Sequence, residues 1–215
     1  AGAAFAAMTA LIRHQTSDMH PFQVAFFRNL FGLAFMLPWF WRTGLGALKT
    51  QRIGLHGFRA AVGLVAMSCW FLAVSMMPVA EATALSFTAP LFATIGAALF
   101  LGETVRARRW SATVIGFVGV LIILRPGEME FGLPAILALI ASAFMSMAAL
   151  TVKTLTRTET SGAIVLYMGL IMTPLSLIPA LYFWTAPAPL DWLWFVGLGL
   201  FATIGQLGMV RAFAS

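Results

Sequence analysis

The chain has 215 residues, 61% of them hydrophobic and only 9% charged, against roughly 45–50% and 25% in a soluble domain. That excludes a water-soluble fold. The net charge of +6 is scattered between apolar runs and has no polar face to sit on, which excludes a nucleic-acid-binding module. A single cysteine, Cys69, allows no internal disulfide or cysteine metal cluster and reads as a core residue.

Charges bracket a series of spans. The opening AGAAFAAMTALI has no basic leader or cleavage site, so residues 1–12 are expected to be the tail of a shortened helix 1 and not a signal peptide. A polar loop follows from Arg13, and Pro21 suits the first turn of helix 2, expected over 22–41. Helix 3 is expected within 59–80, where 21 uncharged residues begin at Ala60. Helix 4 takes the 21 uncharged residues between Glu81 and Glu103, and at about 1.5 Å per residue they span roughly one bilayer core. Helix 5 has only 15 residues, 110–124, so Arg109 and Arg125 must snorkel or the bilayer must thin. Helix 6 is expected over 131–152. Helix 7 is expected over 163–184, kinked at Pro174 and Pro179, with TAPAPL as loop, and helix 8 over 192–210. Trp39, Trp41, Trp184, Trp192 and Trp194 stand at span ends and read as an interfacial belt.

Alternate loops differ in charge. One set, with the end of helix 8, carries ten Lys and Arg: Arg42, Lys49, Arg52, Arg59, Arg106, Arg108, Arg109, Lys153, Arg157 and Arg211. The other carries two, Arg13 and Arg125, with five of the seven acids. By the positive-inside rule the loop after helix 1 is outside and helix 8 ends in the cytoplasm. A shift of 139 residues lays helices 1, 2 and 3 on helices 6, 7 and 8, with Phe5, Met8, Ala10 and Leu11 on Phe144, Met147, Ala149 and Leu150. That interval holds an odd number of helices, so the copies have opposite orientation, an inverted repeat. The expected fold is an all-α polytopic membrane protein. About eight helices of an expected ten are present: 1–126 forms a first five-helix repeat with helix 1 incomplete, and 131–215 holds the first three helices of a second.

The segment AVSMMPVAEATALSFTAPLFATIGAALFLGETVRARRWSATVIGFVGVLII, with Pro90 in mid-helix, LGE at 101–103 and a glycine-spaced helix 5, resembles the EamA-type members of the drug/metabolite transporter superfamily. PFQVAFFRNLFGL, with Arg28, and the RAFAS ending are similar to the same pattern. The resemblance implies two inverted five-helix repeats in a bacterial inner membrane, both termini of the full-length chain in the cytoplasm, and a central cavity lined mainly by helices 1, 3, 4, 6, 8 and 9. It implies a secondary transporter of small organic metabolites, amino-acid-like or amphipathic, exporting them by alternating access. The alternatives are uptake of a nucleotide-like or vitamin-like compound, and a membrane scaffold or sensor that transports nothing. The implied partners are a small-molecule substrate and the bilayer, with a homodimer allowed and no nucleic acid; no cofactor or metal is expected.

The residues themselves suggest where a substrate sits. Arg28 is the charge well inside a span, about seven residues in from the end of helix 2, and such an arginine must face protein or water. It reads as an anion-attracting group near the outer mouth of a cavity, or as a snorkelling arginine paired with carbonyls or Glu81. Pro90 removes the hydrogen bond to the Ser86 carbonyl, so Ser86 and Thr88 mark either a substrate site or a hydroxyl-satisfied kink. On helix 8, Thr203 and Gln206 share a face with Gly199, and Gln206 either lines the cavity or bonds between helices. Trp70, Phe71, Phe87, Phe144 and Met147, with Phe5 and Met8, suit an apolar cavity for amphipathic substrates, although most such residues in any chain are packing. No Asp, Glu or His lies in mid-span, so neither a hydrolase metal set nor a carboxylate pair is expected.

Overall fold

Prolines set several of the helix boundaries in this chain. The computed structural model describes residues 2–44, 46, 49–100 and 132–214, with 110, 111, 114–116, 118, 119 and 122. These residues hold α1 (Gly2–Gln15), α2 (Pro21–Thr43), α3 (Ile53–Met76), α4 (Val79–Ser86), α5 (Ala89–Phe100), α6 (Leu133–Leu155), α7 (Ser161–Tyr182) and α8 (Asp191–Ala214). Residues 101–103, Arg106, Arg108, Arg109, Arg125, Glu128, Glu130 and much of the expected helix 5 lie outside the described residues.

Pro21 opens α2, where its missing N–H costs nothing, and His20 accepts the Phe22 N–H in front of it. Met77 is extended, φ −136° and ψ 162°, because the following Pro78 disfavours helical backbone there, and α3 stops. Arg13 in the last turn of α1 donates to the carbonyls of Val74 and Ser75 at 2.7 and 2.8 Å, satisfying orphan acceptors at that end of α3. The TAPAPL loop is non-helical, and Gln23 of α2 pins it by donating to Thr185 O and accepting from Thr185 N and Oγ1. α7 runs through Pro174 and Pro179 as one helix.

Two expectations are corrected. Helix 3 starts at Ile53, six residues before Arg59, so Arg59 is inside a membrane span and Arg28 is not the sole charge there. A span cut at its charges begins at Arg59 itself, but the apolar residues before it continue the helix. Cys69 is half-buried and not in the core.

Among the described residues, six stretches are long and apolar enough to cross a membrane, α4 and α5 counting together as one. Ile178, Leu181, Leu193 and Ile204 point outward and are largely exposed, an arrangement that suits lipid. Inside the bundle, α3 packs along α6, α1 along α8, and α2 against both α7 and α8; α3 also meets α7. Exchanging α1 with α6, α2 with α7 and α3 with α8 converts each of these contacts into another of them or into itself.

Candidate functional site

α1, α3, α4, α6, α7 and α8 line an open cavity of about 570 Å³, which Arg28 enters from α2. Its wall is mostly apolar. Aromatic rings come from Phe5, Trp70, Phe71 and Phe87, and thioethers from Met8, Met67, Met145, Met168, Met172 and Met209. Thr9, Thr83, Ser86, Gln206, Arg28 and Arg59 supply the polar atoms. Met side chains adapt their shape and rings offer flat faces, so the wall favours a ligand with an apolar or aromatic body.

Arg28 and Arg59 are each only 5% exposed. An arginine in mid-membrane costs about 2.5–3.5 kcal/mol on insertion scales, so each must be compensated by protein or water. Arg28 Nη1 donates to Asn29 Oδ1 at 2.7 Å and lies 3.6 Å from the Met67 sulfur. Asn29 Nδ2 in turn donates to Ser176 Oγ on α7 at 3.1 Å, which anchors the arginine across helices. Arg59 Nη2 lies 3.5 Å from the Met168 sulfur. The Nε of both arginines and Gln206 Oε1 are buried without a hydrogen-bond partner. No Asp or Glu is among the described residues lining the cavity.

The expected helix 4 is two helices. α4 ends at Ser86 and α5 begins at Ala89, with Phe87 N donating to Ala84 O and Thr88 N to Leu85 O in a tightened turn. Pro90 has no N–H for the Ser86 carbonyl. Hydroxyls secure the break: Thr88 Oγ1 donates to Leu85 O at 2.6 Å, Ser86 Oγ to Thr83 O at 2.6 Å, and Ser146 Oγ of α6 to Ala89 O at 2.6 Å. Irregular backbone at membrane depth is tolerated where it is packed in protein or lines a cavity, and both hold here.

Of the residues singled out in the sequence, Arg28, Trp70, Phe71, Ser86, Phe87 and Gln206 meet at the cavity. Thr88, Phe144, Met147 and Thr203 do not line it. Thr88 is buried in the break with its hydroxyl on Leu85 O of α4. Thr203 sits at the crossing of α8 and α2, its Oγ1 2.9 Å from Gly199 O and 3.1 Å from Gly32 O. On α6 the cavity face is Met145, Ala148 and Ala149, rotated from Phe144 and Met147, whose side chains suggested an apolar cavity wall. Arg28 is held by Asn29 and not by Glu81. Arg59 was missed. The available signal was an arginine preceded by the apolar residues Ile53, Leu55 and Phe58.

Comparison with known proteins agrees with this architecture. A crystal structure superposes with a TM-score of 0.75 over 98% of this chain and 76% of its own, at 20% identity, so the two share a fold. A riboflavin transporter of Vibrio cholerae is 32% identical over all of this chain and 74% of its own length. An S-adenosylmethionine uptake transporter of Rickettsia prowazekii is 33% identical over 88% of this chain and 63% of its own, and the pseudopaline exporter CntI of Pseudomonas aeruginosa is 28% identical over 98% and 74%. The chain thus spans between about three fifths and three quarters of these relatives. The model of the EamA-like transporter family matches residues 1–125, and this multi-pass membrane protein belongs to that family.

Proposed function

We propose that the protein is a secondary carrier of a small organic metabolite, which it binds in the cavity between α1, α3, α4, α6, α7 and α8 and passes across a bacterial inner membrane by alternating access. The observation that carries this is a 570 Å³ space with aromatic walls and a few unpartnered polar groups, at the broken helix α4–α5 in the middle of a membrane bundle. The halves that alternate are 1–126 and 131–215 with their continuation, read as inverted copies. The helix contacts that map onto one another under exchange support that division. The asymmetry of Lys and Arg supports cytoplasmic termini for the full-length protein.

A vitamin-like or nucleotide-like cargo has specific support over an amino-acid-like one. The cavity offers Phe5, Trp70, Phe71 and Phe87 for a flat ring, and relatives are named for riboflavin and S-adenosylmethionine. Uptake is as well supported as export, since one relative is named an uptake transporter and another an exporter. The test is counterflow in proteoliposomes of the full-length protein, preloaded with unlabelled compound and offered labelled vitamins, nucleosides or amino acids. Accumulation that is lost in Trp70→Ala is expected. Accumulation unaffected by that change moves the site elsewhere, and no exchange with any class supports a scaffold.

A further inference from the structure

We propose that the cargo is an organic anion, and that its carboxylate or phosphate is held between the guanidinium groups of Arg28 and Arg59. This rests on the cavity being the cargo site. The first support is the direction in which the two side chains run. Arg59 stands six residues, roughly 9 Å, from the N-terminal end of α3, near enough to snorkel to that interface, and the Cα–Cβ bonds of a helix tilt that way. Its side chain runs the opposite way. A Cβ on Gly63, one turn deeper, would collide with Arg59 Nη1, and Nη2 rests on Met168 of α7. Arg28 also turns inward, to Met67, which lies nine residues or roughly 14 Å from the other end of α3.

The second support is charge. The partners these cations have are an amide oxygen and two sulfurs, all neutral, and no carboxylate lines the cavity among the described residues. Two like charges face one apolar space with a buried, unpartnered Nε on each. The hydroxyls of Thr9 and Ser86 already donate to Phe5 O and Thr83 O, so toward a ligand they act as acceptors. Among the described residues, Gln206 Oε1 is the one unpartnered acceptor beside them; the charge in the cavity is positive and carries N–H donors, and a carboxylate or phosphate satisfies both in the forked geometry guanidinium prefers. Trp70 and Phe71 leave room for an apolar body behind that head.

The test is calorimetric titration of the full-length protein in nanodiscs with phenyl phosphate, phenylacetate and the neutral phenylacetamide. The anions are expected to bind at least about tenfold more tightly than the amide, and Arg28→Gln and Arg59→Gln each to weaken the anions by about tenfold or more while leaving the amide unchanged. Arg28→Lys should keep part of the affinity, and the two anions together identify the preferred head group. Equal binding of amide and anions, or anion binding unchanged in both glutamine variants, overturns the proposal but leaves the cavity as the cargo site. If none of the three probes binds, both readings fall. Should a glutamine variant fail to fold, as ligand-free melting will show, the ratio of anion to amide in the wild-type protein decides.

Discussion

The hydroxyl of Ser146 on α6 donates to the carbonyl oxygen of Ala89 on α5 at 2.6 Å, at the first residue after the break between α4 and α5. The neighbouring Ser142 lies 3.4 Å from Leu85 O and 2.9 Å from its own Ala138 O. The broken helix is thus tied to α6 by the Ser146 hydroxyl, with Ser142 in looser contact one turn away, at the edge of the cavity where Ser86 and Phe87 stand.

Ser146→Ala should lower stability by about 1 kcal/mol, because it removes the hydroxyl that ties Ala89 O to α6. Ser146→Thr, which keeps a hydroxyl, should lose less. Thermal melting of the full-length protein in detergent reads both. If alanine melts with the wild type, the tie is not what holds the break.

Gly199 marks a close approach of α8 to α2. A Cβ there would lie 2.8 Å from Gly32 N and would strike Phe31, so backbone would have to move. Gly199→Ala should destabilise by about 1–3 kcal/mol. Gly197, two residues earlier, is the control: a Cβ there meets only Leu11 Cδ1, at 3.7 Å, and Gly197→Ala should be near neutral. Equal effects would refute close packing as the reason for the glycine.

Gly63→Ala tests the inward course of Arg59 without deleting a charge. The added methyl takes the place of Arg59 Nη1, and the guanidinium must swing off its position against Met168. Binding of an anionic probe should weaken by about tenfold, with melting less affected because the displaced group is the end of a flexible chain. Gly57→Ala, with open space around its Cβ, should change neither.

His20 provides a pH test at the end of α2. Its ring stacks on Phe183 at 3.8 Å and accepts the Phe22 N–H, and burial lowers its pKa below the ordinary 6.5. The folded state therefore prefers the neutral ring. That contribution is present above the unfolded value and is lost as pH falls through the lower folded value. Melting temperatures followed from about pH 8 to 5 should drop on the acid side, and His20→Asn, which keeps a capping acceptor, should flatten the drop. An unchanged slope in the variant would assign the loss to other groups.

Much of the architecture is legible in local chemistry. Apolar stretches of about twenty residues mark membrane spans because the bilayer tolerates nothing else. Pro21 and Pro78 mark helix ends, and Pro90 the break in α4–α5, because a proline lacks an N–H whatever surrounds it. The loop 185–190 and the order of spans follow in the same way. The tertiary structure decided which side of each helix faces the cavity. In a membrane bundle lipid and core are both apolar, so α6 carries apolar residues on every side and its pattern could not choose Met145 and Ala148 over Phe144 and Met147. On α8 the same ambiguity separates Gln206, at the cavity, from Thr203, at the α2 crossing. Arg59 is the clearest case: from its neighbours in sequence it is a charge at the edge of a span, and only Gly63 beside it and Met168 across from it turn it into the cavity.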